Sequence, residues 1–289
     1  MMDQAEKLRR KIEQLKNGSH PSKAIAVVSG KGGVGKSNFS LNFALGLSKA
    51  GSNVLLFDMD IGMGNIDILM GVTPTHNIVN VFENGMPLKD IIEKGPQNLS
   101  YIAAGTGLST LFTLNDSKLD TFLNQFEDLL TEYNYIIFDM GAGISKESLN
   151  FIMAVHDIFV ITTPEPTSIT DAYAMMKYIH LKASELPFYI LVNKAFSEKQ
   201  ALSTFNRLSK TMKHFLDKDI ALLGDLPDNN IVRKAVSQQV PFSIYAPDSN
   251  VSRSMDKIVT RYLKNNLNQN GITSSYSFIA RLKQYLLER

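Results

Sequence analysis

Residues 24–37 read AIAVVSGKGGVGKS. The run Ala24 to Val28 is apolar at every position, the mark of a strand covered on both faces. Gly30, Lys31, Gly32, Gly33, Val34, Gly35, Lys36 and Ser37 follow and satisfy G-x-x-x-x-G-K-[ST]; SNFSLNFALGLSKAG (37–51) then reads as a helix. Strand, glycine-rich loop and helix are the context in which this motif cradles phosphate. Successive backbone N–H groups turn inward, and the helix N-terminus adds positive potential. Lys36 is expected at the β/γ-phosphates, with the Ser37 hydroxyl on Mg2+.

Working outward, six more apolar runs alternate with helical periods: NVLLFDMD, LSYIAAG, YIIFDMG, DIFVITT, FYILVNK and IALLGDLP. This pattern predicts an α/β fold, a doubly wound and mostly parallel sheet with helices on both faces. Three parts are expected: an N-terminal helix and linker (1–22), a phosphate-loop domain (23–267), and a linker with a C-terminal amphipathic helix (268–289). The breaks are NGSHPS (17–22) and NQNG (268–271).

Composition excludes several classes. The 289 residues contain no Cys, which removes disulfides, cysteine-ligated iron–sulfur clusters and a thiol nucleophile. A net charge of +2 gives no reason to expect nucleic-acid binding. The first residues are polar and charged, so no signal peptide is expected, and no apolar run reaches the length of a membrane span.

Acids complete the site. Asp58 and Asp60 stand at the carboxyl end of one strand, the edge at which open α/β sheets bind ligands. Two carboxylates so close repel, and a nearby Mg2+ resolves the conflict. YIIFDMGAG ends a second strand in Asp139, expected to hold Mg2+, with Gly141 and Gly143 allowing close approach near the γ-phosphate. Lys31 is a second lysine where such a loop needs one. Two ammonium groups side by side repel unless phosphate lies between them, so Lys31 suits the nucleotide of another subunit, like an arginine finger in trans. On physical grounds alone it suits a solvent-facing loop position equally well.

KGGVGKS resembles the deviant Walker A signature of the MinD/ParA ATPases, of the SIMIBI class of P-loop proteins. The likeness extends over about 23–265 and includes DMDIGMGNIDILMG, with Asp58, Asp60, Gly62, Asn65, Asp67 and Gly71 on the MinD pattern. It implies an ATP-dependent dimer in which Lys31 crosses the interface, and a slow, Mg2+-dependent ATPase. Asp60 would position water and Asp58 would belong to the magnesium shell. Asn193, Pro227 and Asp228 would lie against the base. Asn193 is also an ordinary turn residue at a strand end, and Asp67 reads more simply as a helix cap. The guanine-specific N-K-x-D pattern is not met, because Phe196 follows Asn193-Lys194-Ala195. ATP is therefore preferred to GTP.

The ends narrow the resemblance. DQAEKLR, with Asp3, Gln4, Ala5, Leu8 and Arg9, resembles the DQAxxLR element of the flagellar number regulators FlhG (YlxH, FleN), which stimulates the FlhF GTPase. An arbitrary amphipathic helix accounts for the same residues. The resemblance implies regulation of flagellar number and placement through FlhF and C-ring components. Alternatives are a MinD-like regulator of the division site and a nucleotide-sensing scaffold that does not hydrolyse. Lys177, Arg207 and Phe215 suit a docking face for FliM or FliY, or a plain solvated face. In SYSFIARLKQYLLER (275–289), Phe278, Ile279, Leu282, Tyr285 and Leu286 share one face within about 120°. That stripe resembles the membrane-targeting tail of MinD proteins and implies ATP-dependent, peripheral association with an anionic inner membrane face from the cytoplasm. Docking of the stripe on the protein's own core is the competing expectation.

Overall fold

The computed structural model describes residues 22–60, 64–105, 116–143, 145–268 and 275–287. All seven expected strands form: β1 (Lys23–Val28), β2 (Val54–Met59), β4 (Ser100–Ile102), β5 (Tyr135–Met140), β6 (Asp157–Thr162), β7 (Phe188–Ala195) and β8 (Ala221–Pro227). An eighth, β3 (Glu93–Lys94), pairs antiparallel with β4 at one edge, and two residues are too few to carry a periodic signal. The order is β3-β4-β2-β5-β1-β6-β7-β8, and every other ladder is parallel.

The helices are α1 (Lys36–Lys49), α2 (Ile66–Met70), α3 (Ile78–Asn84), α4 (Asp116–Glu132), α5 (Lys146–Ala154), α6 (Pro166–His180), α7 (Glu198–Leu216), α8 (Asn230–Ser237), α9 (Phe242–Tyr245), α10 (Asn250–Asn268) and α11 (Ser275–Leu287). Strand β1 shows why the sheet needs cover on both sides. Ala24, Ala26 and Val28 join one apolar cluster with α4, α5, α6, α7 and α11, while Ile25 and Val27 join the other with α1 and α10.

The terminal helix departs from the three-part division. Phe278, Leu282 and Leu286 are buried in the cluster shared with α4 and α5, and Ile279 and Tyr285 pack against it. The Phe278 ring lies 5.7 Å from Phe138, stacked, and 5.5 Å from Phe126. Arg281 donates from Nη2 to the Val155 carbonyl at 3.0 Å, and Lys283 pairs with Asp120 at 2.7 Å. In this structure α11 therefore belongs to the nucleotide-domain core, and its face is not presented to lipid. An apolar stripe needs an apolar partner, and the groove over β5 is nearer than any bilayer. Each of the three buried side chains contributes about 1.5–3 kcal/mol. Among the described residues no helix is long and apolar enough to cross a membrane. The N-terminal residues Asp3, Gln4, Ala5, Leu8 and Arg9 lie outside the described residues.

Candidate functional site

The carboxyl ends of β1, β2, β5 and β7 converge on the phosphate loop. Pairing of β5 with β2 sets Asp139 opposite Asp58, and pairing with β1 sets it opposite Val27, three residues before Gly30 opens the loop. Two glycines are demanded by contact. A Cβ on Gly30 would meet backbone atoms of Asp171 at 2.3 and 2.4 Å, so any side chain there would push α6 away. Gly35 has φ +92°, and a Cβ would meet the Asn193 amide nitrogen at 2.3 Å. Gly32, Gly33 and Val34 complete the loop, and the Gly143 N–H donates to the Ser29 carbonyl at 3.1 Å, tying the loop after β5 to its start.

Lys36 opens α1 and is buried. Its Nζ lies 3.0 Å from Asp139 Oδ1 and 3.4 Å from the Ser37 hydroxyl. The Ser40 hydroxyl donates to the same Asp139 oxygen at 2.7 Å. Asp139 Oδ2 is buried without a hydrogen-bond partner. A buried carboxylate oxygen left unsatisfied is costly, and a hydrated cation relieves that cost. Among the described residues no three His, Asp or Glu side chains converge on a metal position. Mg2+ would fit here only with phosphate oxygens completing its shell, and Ser37 and Asp139 are the residues that could then hold it, as Mg2+ in nucleotide sites generally requires.

Asp58, expected in the magnesium shell, binds backbone N–H groups in this structure. Its Oδ1 accepts from the Asp60 N–H at 3.0 Å, and its Oδ2 accepts from the Asn65 and Ile66 N–H groups at 3.1 and 3.2 Å. From the end of β2 it thus satisfies the N–H groups of the cap residue and the first residue of α2. Burial, with the neighbouring Asp139 adding to it, pushes its carboxyl up to about 7. Asp67 is not the cap of α2. It sits in the first turn, where an acid complements the helix dipole, and Asn65 occupies the cap position. Asp60 is half-buried. Burial raises its carboxyl above the usual range, while the charge of Lys36 acts against that rise. A Cβ on Gly141 would stand 3.3 Å from Asp60 Oδ1, so Asp60 rests against the loop that follows β5.

Lys31 does not point at its own phosphate site. Its Nζ pairs with Glu165 at 2.7 Å and reaches the Thr167 hydroxyl at 3.1 Å, both at the start of α6. The hydrogen bond from Lys31, then its charge, holds the Glu165 carboxyl below the usual range. The pair is exposed, and exposed pairs separate easily.

Asn193 meets the phosphate loop. Its Nδ2 donates to the Val34 carbonyl at 2.7 Å, and its Oδ1 accepts from the Lys194 N–H at 2.9 Å. The amide expected to read a base is committed in this structure to the chain itself. Pro227 ends the neighbouring strand, where the Asp228 N–H donates to the Ala195 carbonyl at 3.0 Å. Ser40, Glu165 and Lys194 were not singled out in the sequence. Only Ser40 carried a usable sign, lying one helical turn beyond Lys36 on the same face.

A parallel sheet with this loop, a lysine on a strand-end aspartate and a hydroxyl beside it define a P-loop nucleoside triphosphatase. Residues 20–263 match the ParA family, described as NUBPL iron-transfer P-loop NTPase, and the chain belongs to the ParA/MinD family of P-loop ATPases. It is 35% identical to the antiactivator FleN of Pseudomonas aeruginosa over 76% of this chain and 79% of that protein. It is 34% identical to the flagellum site-determining protein YlxH of Helicobacter pylori over 82% and 80%. The fold is that of the Pyrococcus furiosus cell division ATPase MinD, with a TM-score of 0.68 at 20% identity, over 84% of this chain and 99% of that one.

Proposed function

We propose that this protein is an ATP-dependent switch that controls flagellar number or placement. ATP and Mg2+ are its cofactors: Lys36 holds the β/γ-phosphates, Ser37 and Asp139 hold the metal, and Asp60 orients the attacking water. With ATP two copies associate, and Lys31 crosses to the partner's nucleotide. The observation that carries this is the seat of Lys31 on Glu165 and Thr167, outside its own phosphate site. A lysine parked on an exposed pair is free to move to a triphosphate carried by a second copy. The likeness to FleN and YlxH supports the flagellar role.

Lys31→Ala is expected to bind ATP with nearly unchanged affinity yet remain monomeric with ATP in size-exclusion with light scattering. Normal ATP-driven dimers of the variant would reduce Lys31 to a loop residue.

The finer proposal is that the N-terminal segment stimulates the GTPase of FlhF, while flagellar C-ring proteins such as FliM or FliY dock elsewhere. The exposed Phe215 ring, beside Tyr173 and His214, supports a docking face across α6 and α7 together with the exposed Lys177 and Arg207. Removal of residues 1–20 is expected to leave basal ATP hydrolysis intact and to abolish stimulation of FlhF in a GTPase assay. Equal stimulation by the shortened protein contradicts this assignment.

Membrane association through 275–287 demands that α11 leave its seat, since the face that would enter lipid is buried. We place that release in the ATP dimer. The packing of α11 on α5, which follows the loop after β5, supports a route from nucleotide to helix.

A further inference from the structure

Most of the seat of α11 is apolar, and apolar burial has no direction. Arg281 is the exception. Its Nη2 donates to the Val155 carbonyl at 3.0 Å, while its Nε is buried without a hydrogen-bond partner. Burial disfavours its charge, and the exposed Glu185 carboxylate acts in the opposite sense. A guanidinium carries five N–H donors. This one meets a single backbone carbonyl among the described residues, so its partial burial rests on one bond.

The carbonyl it meets marks a boundary. Val155 ends α5 and is fully buried. Directly after it, His156 is fixed to β1: its N–H donates to the Ala24 carbonyl at 2.9 Å, and its Nδ1 accepts from the Ala24 N–H at 2.9 Å. Beyond Val155 the chain is thus tied to the centre of the sheet. In the other direction α5, nine residues or about 13 Å long, runs back to the nucleotide site. There Ser145 caps the helix by accepting from the Ser148 N–H at 3.1 Å, and the Gly143 N–H reaches the Ser29 carbonyl at the head of the phosphate loop. Gly141 lies against Asp60 in the same loop. Loops so placed order or shift when a γ-phosphate binds. Helix α5 is the rigid element between that loop and the guanidinium.

A directional bond to a buried charge makes the contact two-state. With the Val155 carbonyl in place, the guanidinium is held and the apolar face of α11 dominates. Separated from that carbonyl, the guanidinium is buried and unpaired, which costs more than the lost bond contributed. Out of the seat, the same residue stands beside the apolar stripe, where it reaches water or an anionic headgroup. We propose that Arg281 is a positioning residue, a latch by which the state of the nucleotide loop, carried along α5 to the Val155 carbonyl, decides whether α11 stays docked. This rests on the release of α11 in the ATP dimer proposed above, and names the contact that governs it.

The test uses the full chain and hydrogen exchange read by mass spectrometry over 275–287, with Mg-ADP and with a non-hydrolysable Mg-ATP analogue. Light scattering on the same samples reports the dimer. In the unaltered protein, exchange is expected to be about tenfold faster with the ATP analogue, an ordinary strength of coupling between two sites. Arg281→Met keeps the aliphatic stem and removes the charge, so nothing charged is stranded when α5 moves. It is expected to dimerise normally, with slow exchange in both states and a ratio below about twofold. Arg281→Lys, which keeps a charged donor, is expected to restore most of the ratio. The unaltered protein's ratio in Arg281→Met would overturn the latch and leave the release of α11 standing. So would fast exchange in both states, since Arg281 would then only hold the helix down. Equal exchange of the unaltered protein with either nucleotide withdraws the release of α11 itself, and the latch with it.

Discussion

Lys36→Met is expected to lose at least about a hundredfold in ATP affinity by calorimetry, the largest effect of any single change on binding. The lysine is buried at the helix N-terminus, and its ammonium stands 3.0 Å from Asp139 with no other cation inside the loop to replace it, since Lys31 and Lys194 bond elsewhere. Methionine keeps the aliphatic stem and removes the charge. The change also strips Asp139 of its ion-pair partner, leaving the Ser40 hydroxyl on Oδ1 and nothing on Oδ2. An uncompensated buried carboxylate is destabilising, so a thermal scan should accompany the titration. A folded variant with wild-type affinity would sink the assignment of the phosphate site.

Phe278→Asp is expected to lower the melting temperature by roughly 10 °C or more, the largest effect of any single change on stability. Phe278 is fully buried against Phe126 and Phe138. Deleting a buried phenylalanine side chain costs about 3–5 kcal/mol, and a carboxylate in its place adds a desolvation cost. Hydrogen exchange should then quicken in α4 and α5, the helices against which α11 packs. Binding of liposomes by this variant is a separate question from its stability, because one substitution removes both the apolar face and its seat. A melting temperature unchanged by Phe278→Asp would mean that α11 does not rest on the core in solution.

The two variants differ in what made them legible. Lys36 was readable because the phosphate loop is local: strand, glycines, lysine, serine and helix lie within one short stretch, and each residue type is required by chemistry there. Asp139 and Asp58 were readable as strand-end acids. Only the parallel register, which sets them opposite each other, could show that one faces Lys36 while the other holds backbone N–H groups of a short helix.

Sequence by itself determined the doubly wound sheet, because apolar runs without alternation must be covered on both faces, and it determined the phosphate loop. It also determined that 275–287 carries an apolar stripe. It did not determine what that stripe meets, since burial against a protein groove and burial in lipid ask for the same pattern of side chains. The bonds of Asn193 and Lys194 to the phosphate loop and the seat of Lys31 on Glu165 were likewise invisible. Each joins residues separated by more than a hundred positions, and a bulge or a left-handed residue leaves no mark in hydrophobic periodicity. Tertiary structure alone decided those partnerships, because hydrogen bonds depend on direction and distance, which neither composition nor spacing records.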